Sequence, residues 1–226
     1  MTDNIEAIQA VLFDLDGTLL DTAPDITQAI NKTLKHHGFD IVTQHTVAMG
    51  ISHGTAGIFK KILDDSVSRQ KHEQLLEYFL EAYQNQTTQH TSLFDGFNEL
   101  FEYLTHNNIR WGVVTNKSER FTLPILKDMN LHHLAACVIC GDSTPHRKPH
   151  PAPVLMACDH LDLKPAQTLF FGDHEKDIIA GQAAGTCTAF AKYGYIDIDE
   201  TFSTAAHHTA EHPMQLADII NQLNGH

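Results

Sequence analysis

The sequence predicts an α/β fold in which a doubly wound, Rossmann-like parallel sheet forms the core and a helical cap domain is inserted after the first strand. From residue 91 onward, short apolar runs alternate with helical segments, and this alternation is typical of a parallel sheet covered by helices on both faces. The stretch between the first apolar run and that region carries only helical patterns. We therefore place the core at 1–20 and 91–226 and the cap at 21–90.

The first strand is predicted at Val11–Phe13, within AVLFDLDGTLLDT, because consecutive apolar residues suit a strand that is buried on both faces. Four helical segments follow in the cap. In the last of them apolar residues recur at helical spacing, which indicates packing within the cap. The four segments span 23–38, 43–50, 53–65 and 68–86.

Strands and helices then alternate to the end of the chain. The predicted strands are Arg110–Thr115, Ala135–Cys140, Thr168–Gly172 and Thr186–Ala191. The predicted helices are 96–105, 119–129, 151–161, 175–185 and a last surface helix at 212–223. Because ligands of doubly wound sheets bind at the carboxyl ends of the strands, polar residues directly after these strands are the candidates for a functional site.

Composition narrows the class of protein. The chain of 226 residues has 28 acidic and 15 basic residues and a formal charge of −13, which disfavours nucleic acid or an anionic membrane as the main partner. It contains no apolar span long enough to cross a bilayer, it begins without a signal-peptide pattern, and its four cysteines have no framework spacing. We expect a cytoplasmic protein, a monomer or weak homodimer, that acts on a small molecule.

A zinc site is an alternative that the sequence raises. Cys137 and Cys140 precede His146 and His150, but the gap between the two pairs is shorter than in common zinc fingers. The two residues between the cysteines are apolar. We therefore interpret the cysteines as parts of a buried strand.

The first polar group follows the first strand, in the sequence DLDGT. Asp14 and Asp16 are two residues apart, so an extended chain places both carboxylates on the same side. Two like charges held close together are costly, and a divalent cation is the usual compensation. Gly17 and Thr18 complete the motif.

Three further polar groups follow later strands. Thr115 and Asn116 offer a hydroxyl and backbone amides that suit phosphate oxygens. Lys148 precedes a proline, which holds its backbone in an extended or turn conformation and can aim its ammonium inward. Asp173 and Asp177 are four residues apart and can share one side of a helix N-terminus. Hard oxygen ligands of this kind favour Mg²⁺ over zinc.

The four motifs, in this order, resemble the haloacid dehalogenase-like hydrolase superfamily and, within it, the phosphoglycolate phosphatase group. The resemblance covers nearly the whole chain, from VLFDLDGTLLDTAPD through WGVVTNK, CGDSTPHRKPHPAP and FFGDHEKDIIAGQAAG to YGYI. GDSTPHRKP looks closest to the phosphoglycolate phosphatase group. WGVVTNK, SLFDGF and KYGYI are also similar to the N-acetylmuramic acid 6-phosphate phosphatases of cell-wall recycling.

This resemblance implies Mg²⁺-dependent hydrolysis of a phosphate monoester through an aspartyl-phosphate intermediate. It makes Asp14 the nucleophile and Asp16 the general acid and base, with Thr115 and Lys148 completing the catalytic set. The implied metal ligands are Asp14, the backbone carbonyl of Asp16, Asp173 and Asp177, the last directly or through water. The implied phosphate-binding residues are Asp14, Gly17, Thr18, Thr115, Asn116 and Lys148.

The chain departs from the family pattern at two positions. His174 stands where relatives often have a small hydroxyl residue, and Lys176 stands where they often have asparagine. These positions neighbour the predicted metal ligands without being among them.

Within the cap, the resemblance directs attention to GISHGTAG, because capped relatives use a glycine-rich turn over the active site. Ser52, His53 and Gly54 are the candidates for contact with the organic part of the substrate. An ordinary turn between helices is the alternative.

Two other functions remain open at this level. Asp16 disfavours a dehalogenase or phosphonatase, since those members lack an aspartate there. A β-phosphoglucomutase-like phosphotransferase shares all four motifs. A non-catalytic binding module would be expected to lack one of them.

Overall fold

The computed structural model describes residues 6–63, 67–84, 88–196 and 204–225. The chain forms two compact units, one made of Met1–Leu19 and Leu93–His226 and the other of Leu20–Ser92. The predicted ends of two cap helices, at 64–65 and 85–86, lie outside the described residues.

Strands and helices follow one another along the whole described chain. The strands are β1 (Ala10–Phe13), β2 (Leu20–Asp21), β3 (Ser92–Leu93), β4 (Arg110–Val114), β5 (Val138–Ile139), β6 (Thr168–Gly172), β7 (Cys187–Ala191) and β8 (His208–Ala210). The helices are α1 (Ala23–His36), α2 (Gln44–Ile51), α3 (Gly54–Ile62), α4 (Arg69–Gln84), α5 (Phe97–His106), α6 (Glu119–Asp128), α7 (Ala152–Leu161), α8 (Glu175–Ala184) and α9 (Gln215–Asn224), with a short 3₁₀ turn at Pro165–Gln167.

A six-stranded sheet in the order β5-β4-β1-β6-β7-β8 forms the centre of the first unit, and all of its pairings are parallel. From β1 the chain runs outward through β4 to β5, and it then crosses to β6 on the other side of β1. This reversal creates a switch point beside β1, where the carboxyl ends of β1, β4 and β6 border a crevice. The predicted doubly wound α/β class is confirmed.

Both faces of this sheet are covered by apolar packing. Leu12 and Phe170 are neighbours in register and belong to a buried cluster with residues of α7 and α8. The next residues point the other way, and there the Phe13 ring lies 5.3 Å from that of Phe97 in α5 and 6.3 Å from that of Phe171. Burial on both faces explains why these strands are apolar at every position.

The second unit is helical, apart from β2 and β3 at its two ends, which pair with each other. Asp25 lies in the first turn of α1 and is 1% exposed. Its carboxylate accepts hydrogen bonds from the backbone N–H groups of His90 and Thr91 and from Thr91 Oγ1, at 2.7–3.1 Å. A buried carboxylate satisfied in this way ties the beginning of the unit to its end.

Three short strands were not predicted from the sequence. β2, β3 and β8 have only two or three residues each, too few to show a period. Of the run predicted as Ala135–Cys140, only Val138–Ile139 is strand. No helix of the described residues combines the length and apolarity needed to cross a membrane.

Candidate active site

Polar residues gather at the carboxyl ends of the central strands. Asp14 follows β1, Thr115 follows β4 and Asp173 follows β6. Asp177 lies in the first turn of α8. Carboxylate oxygens of Asp14, Asp173 and Asp177 lie within 4.8 Å of one another, so the fold brings together residues that are more than a hundred positions apart in the chain.

Lys148 provides the positive charge inside this cluster. Its Nζ lies 2.9 Å from Asp14 Oδ1 and 2.7 Å from Asp177 Oδ1, and it donates to the carbonyl of Val114 at 2.8 Å. Burial alone lowers the pKa of Lys148, but the two carboxylates outweigh it and the pKa is raised. The lysine therefore stays charged, and its ammonium contacts two of the three carboxylates of the cluster.

One ammonium does not offset three carboxylates, so Asp14 and Asp173 resist ionisation. Burial first, and then Asp14 and Asp177, raise the pKa of Asp173 to about 8. Burial also raises the pKa of Asp14 to about 6, although Lys148 opposes the shift. Groups that resist ionisation this strongly need a further cation, and three carboxylates, of which Asp173 and Asp177 are buried and Asp14 is half-buried, are the donor set that suits a hard divalent metal ion. The residues present fit such an ion.

Asp173 is held from two sides. Thr18 Oγ1 donates to its Oδ1 and the Tyr195 N–H donates to its Oδ2, both at 2.8 Å. Gly17 has a φ of +83°, and a Cβ at that position would overlap the Asp173 carboxylate. Thr18 is fixed in turn, because the Tyr193 hydroxyl donates to its carbonyl at 2.8 Å.

His174 explains one departure from the family pattern. The Nδ1 atom of its side chain accepts a hydrogen bond from the backbone N–H of Lys176 at 3.1 Å. The backbone N–H of His174 donates to Asp177 Oδ2, also at 3.1 Å. The imidazole thus caps α8 as a small hydroxyl residue would. The hydrogen bond from the His174 backbone fixes one oxygen of the Asp177 carboxylate, and the other oxygen contacts Lys148.

Asp16 forms an ion pair that the sequence did not predict. Lys117 Nζ donates to Asp16 Oδ1 at 2.7 Å and to Oδ2 at 2.9 Å. The two side chains are 9% and 14% exposed. Lys117 is the last residue of the TNK motif directly after β4, so its position at a strand end was a usable signal. Tyr193 and Tyr195 were missed likewise, although KYGYI directly follows the last residue of β7.

Thr115 and Asn116 lie at the same edge of the sheet. Thr115 is 3% exposed and its Oγ1 accepts from the Lys117 N–H at 3.2 Å. The Asn116 side chain pairs with the backbone of Lys148 through two hydrogen bonds of 3.0 Å. Asn116 therefore positions Lys148, and direct contact of Thr115 and Asn116 with phosphate stays a prediction.

Ser52, His53 and Gly54 belong to the second unit. Ser52 follows α2, the His53 N–H donates to the Gly50 carbonyl at 3.0 Å, and Gly54 begins α3 with a φ of +72°. They form the turn between two helices. Their contact with a substrate stays a prediction.

The two cysteines and the two histidines of the possible zinc site differ in their burial. Cys137 and Cys140 are buried on either side of β5. His146 and His150 are exposed, with ring centroids 4.4 Å apart. The cysteines are therefore buried core residues that flank the short strand β5, rather than residues within it.

A parallel sheet with acidic residues and a buried lysine at its switch point defines a Rossmann-like α/β enzyme whose site suits a cation and an anionic ligand. Within that class the chain belongs to the haloacid dehalogenase-like hydrolase family, whose model matches residues 11–191.

Named relatives agree with this assignment. The chain is 38% identical to an N-acetylmuramic acid 6-phosphate phosphatase of Pseudomonas putida, with 95% of this chain and 96% of that protein covered. It is 36% identical to a phosphoglycolate phosphatase of Xanthomonas campestris, with 92% and 94% covered. A solved structure described as a predicted phosphoglycolate phosphatase from Haemophilus somnus matches with a TM-score of 0.85 at 26% identity, over 96% of this chain and 99% of that one. The predicted family and phosphatase class are confirmed.

Proposed function

We propose that the protein hydrolyses a small phosphate monoester through a phosphorylated Asp14, with Mg²⁺ as its metal ion. The observation that carries this proposal is the cluster of Asp14, Asp173 and Asp177 around the buried ammonium of Lys148. A nucleophilic carboxylate, a cation site and a fixed positive charge are the parts that phosphoryl transfer requires.

Asp14, Asp173 and Asp177 would hold the Mg²⁺, together with the backbone carbonyl of Asp16. The bound ion would neutralise charge on the phosphoryl oxygens and on the nucleophile. Hard carboxylate ligands support Mg²⁺ over softer metals.

Asp14 would attack phosphorus, and the bond to the leaving oxygen would break. The Leu15 N–H and Lys148 both contact Asp14 Oδ1, at 2.7 and 2.9 Å, which supports a fixed direction of attack. Lys148 would balance the charge of the entering phosphate. Thr115 and Asn116, with Gly17 and Thr18, would line the phosphate position.

Asp16 would give a proton to the leaving alcohol and then accept one from the water that hydrolyses the aspartyl phosphate. Its carboxylate follows the same strand as Asp14 but is held by Lys117 rather than by the metal-site lysine. That separate partner supports a separate role.

The substrate we favour is 2-phosphoglycolate, because GDSTPHRKP looks closest to the phosphoglycolate phosphatase group and relatives with that name match nearly the full chain. N-acetylmuramic acid 6-phosphate is the second candidate, favoured by two relatives at 38% and 36% identity. The inserted unit would act as a cap, with Ser52, His53 and Gly54 contacting the organic part of the substrate. A cytoplasmic location and a monomeric or weakly dimeric state remain part of the proposal.

The test is phosphate release by the purified protein with and without Mg²⁺, comparing 2-phosphoglycolate and N-acetylmuramic acid 6-phosphate side by side. A large advantage in kcat/KM for one of them assigns the specificity. Phosphorylation of Asp14 without net phosphate release, together with transfer to a second sugar phosphate, would instead identify a phosphotransferase. Absence of phosphorylation and of turnover would contradict the proposal.

A further inference from the structure

We propose that Lys117 recognises a carboxylate of the substrate located next to the leaving oxygen, and that this carboxylate takes the place of Asp16 on the Lys117 ammonium. The proposal rests on the proposed function and adds a specificity-determining residue to it.

The starting point is the contact between the Asp16 carboxylate and the Lys117 ammonium. Both of its carboxylate oxygens accept hydrogen bonds from Lys117 Nζ, at 2.7 and 2.9 Å. A leaving oxygen that binds Asp16 shares a carboxylate oxygen with the Lys117 ammonium, since each carboxylate oxygen has two acceptor sites. The substrate therefore enters next to the Lys117–Asp16 ion pair, and an anionic group of the substrate competes with Asp16 for the ammonium.

Opening the pair has a cost that depends on the substrate. Lys117 and Asp16 are only 9% and 14% exposed, so water replaces a lost partner poorly there. A substrate with its own carboxylate offers the ammonium a new anionic partner of the same chemistry. A substrate with a neutral leaving group offers none, and the exchange is then unfavourable.

The position of Lys117 also defines where that carboxylate must be. The Lys117 ammonium lies within hydrogen-bond distance of Asp16, the proposed proton donor to the leaving oxygen. A substrate carboxylate that binds this ammonium must therefore lie within a few bonds of the leaving oxygen, on the order of 3–5 Å away. In 2-phosphoglycolate the carboxylate is attached to the carbon that carries the leaving oxygen. In N-acetylmuramic acid 6-phosphate it belongs to a lactyl group on another ring position, farther from the phosphate ester. Lys117 therefore favours α-phosphoryloxy carboxylates as the substrate class.

The lysine at the metal cluster cannot serve this purpose. Lys148 is already shared between Asp14 and Asp177 and its side chain is 2% exposed. Its position beside the nucleophile suits the phosphoryl group and not the organic part. The two lysines would thus bind the two charged groups of such a substrate, Lys148 the phosphate and Lys117 the carboxylate.

The experiment compares matched esters on the wild-type protein and on Lys117→Met. The first pair is 2-phosphoglycolate and 2-hydroxyethyl phosphate, which differ in the carboxylate. The second pair is N-acetylmuramic acid 6-phosphate and N-acetylglucosamine 6-phosphate, which differ in the lactyl group. Lys164→Met is the control, since it also removes a lysine–carboxylate pair (with Glu6, at 2.8 Å), but one whose side chains are 70% and 42% exposed.

We expect the wild-type protein to prefer 2-phosphoglycolate over 2-hydroxyethyl phosphate in kcat/KM, and Lys117→Met to reduce that preference at least about 10-fold. Lys117→Arg should keep part of the preference, because it keeps the positive charge, and Lys164→Met should keep all of it. Inhibition by glycolate, measured on the same variants, should weaken in Lys117→Met and gives a binding readout without turnover.

Several results would overturn the inference. Equal kcat/KM for the first pair of esters in the wild-type protein would do so without any variant, which covers the case that Lys117→Met fails to fold. An equal loss for both esters in Lys117→Met would show that Lys117 only holds Asp16. A preference for the lactyl-bearing ester that disappears in Lys117→Met would place the recognised carboxylate far from the leaving oxygen. If the wild-type protein hydrolyses none of the four esters, nor p-nitrophenyl phosphate, the proposed function is refuted and this inference with it.

Discussion

Removal of metal ions should make the stability of this protein fall as the pH rises. The carboxyl group of Asp173 has a pKa of about 8 in the folded chain, against about 3.9 in an unfolded one. Between these values the folded state binds a proton that the unfolded state does not. The stabilisation is therefore complete at low pH and is lost as the pH rises through 8.

The size of the effect follows from that pKa. Between pH 6 and pH 8 the Asp173 carboxyl alone should lower the free energy of unfolding by about 2 kcal/mol. For a chain of this length the corresponding fall in melting temperature is roughly 4–8 °C. Saturating Mg²⁺ should restore the stability at pH 8, because the cation then replaces the proton as the partner of the carboxylates.

The assay is urea unfolding with EDTA at pH 6 and pH 8, on the wild-type protein and on Asp173→Asn. The pKa values of His37 and His208 are lowered, chiefly by burial, and such groups stabilise the fold as the pH rises. Because they are present in both proteins, the difference between the two pH dependences isolates Asp173. An identical pH dependence in both proteins would refute the reasoning.

Three further substitutions test the site. Asp14→Asn should lower phosphate release by at least about 1,000-fold, because the amide is a poor nucleophile, while circular dichroism shows an unchanged fold; near-normal turnover would rule out Asp14 as nucleophile. Lys148→Met should reduce the free energy of unfolding of the metal-free protein by about 3–5 kcal/mol in urea titrations, since it leaves buried carboxylates without their ammonium; a loss under 1 kcal/mol would contradict this account. Gly17→Ala should weaken Mg²⁺ binding in calorimetry, because its Cβ would overlap the Asp173 carboxylate at a φ of +83°; unchanged affinity would show that the carboxylate has room to move.

Much of the candidate site was readable from local patterns. A strand buried on both faces is apolar at every position, as β1 and β6 are, and the residues that follow it stand at the ligand-binding edge. This rule located Asp14 and Asp173 correctly at strand ends. The same rule applies to Lys117, but this residue was missed, because a lysine after a strand has many possible partners and no local pattern names one.

The sequence by itself determined the alternation of strands and helices, the family and the polar residues at the strand ends, because each depends on the order of apolar and polar residues along the chain. Only the tertiary structure decided which of these residues meet. Lys117 and Asp16 are 101 residues apart, and Thr18 and Asp173 are 155 apart. Their pairing depends on strand order, register and side-chain conformation. The raised pKa of Asp173 likewise results from burial and from charges brought close in space. Both effects depend on which groups the fold places around the carboxylate, and the order of residues along the chain does not specify those neighbours.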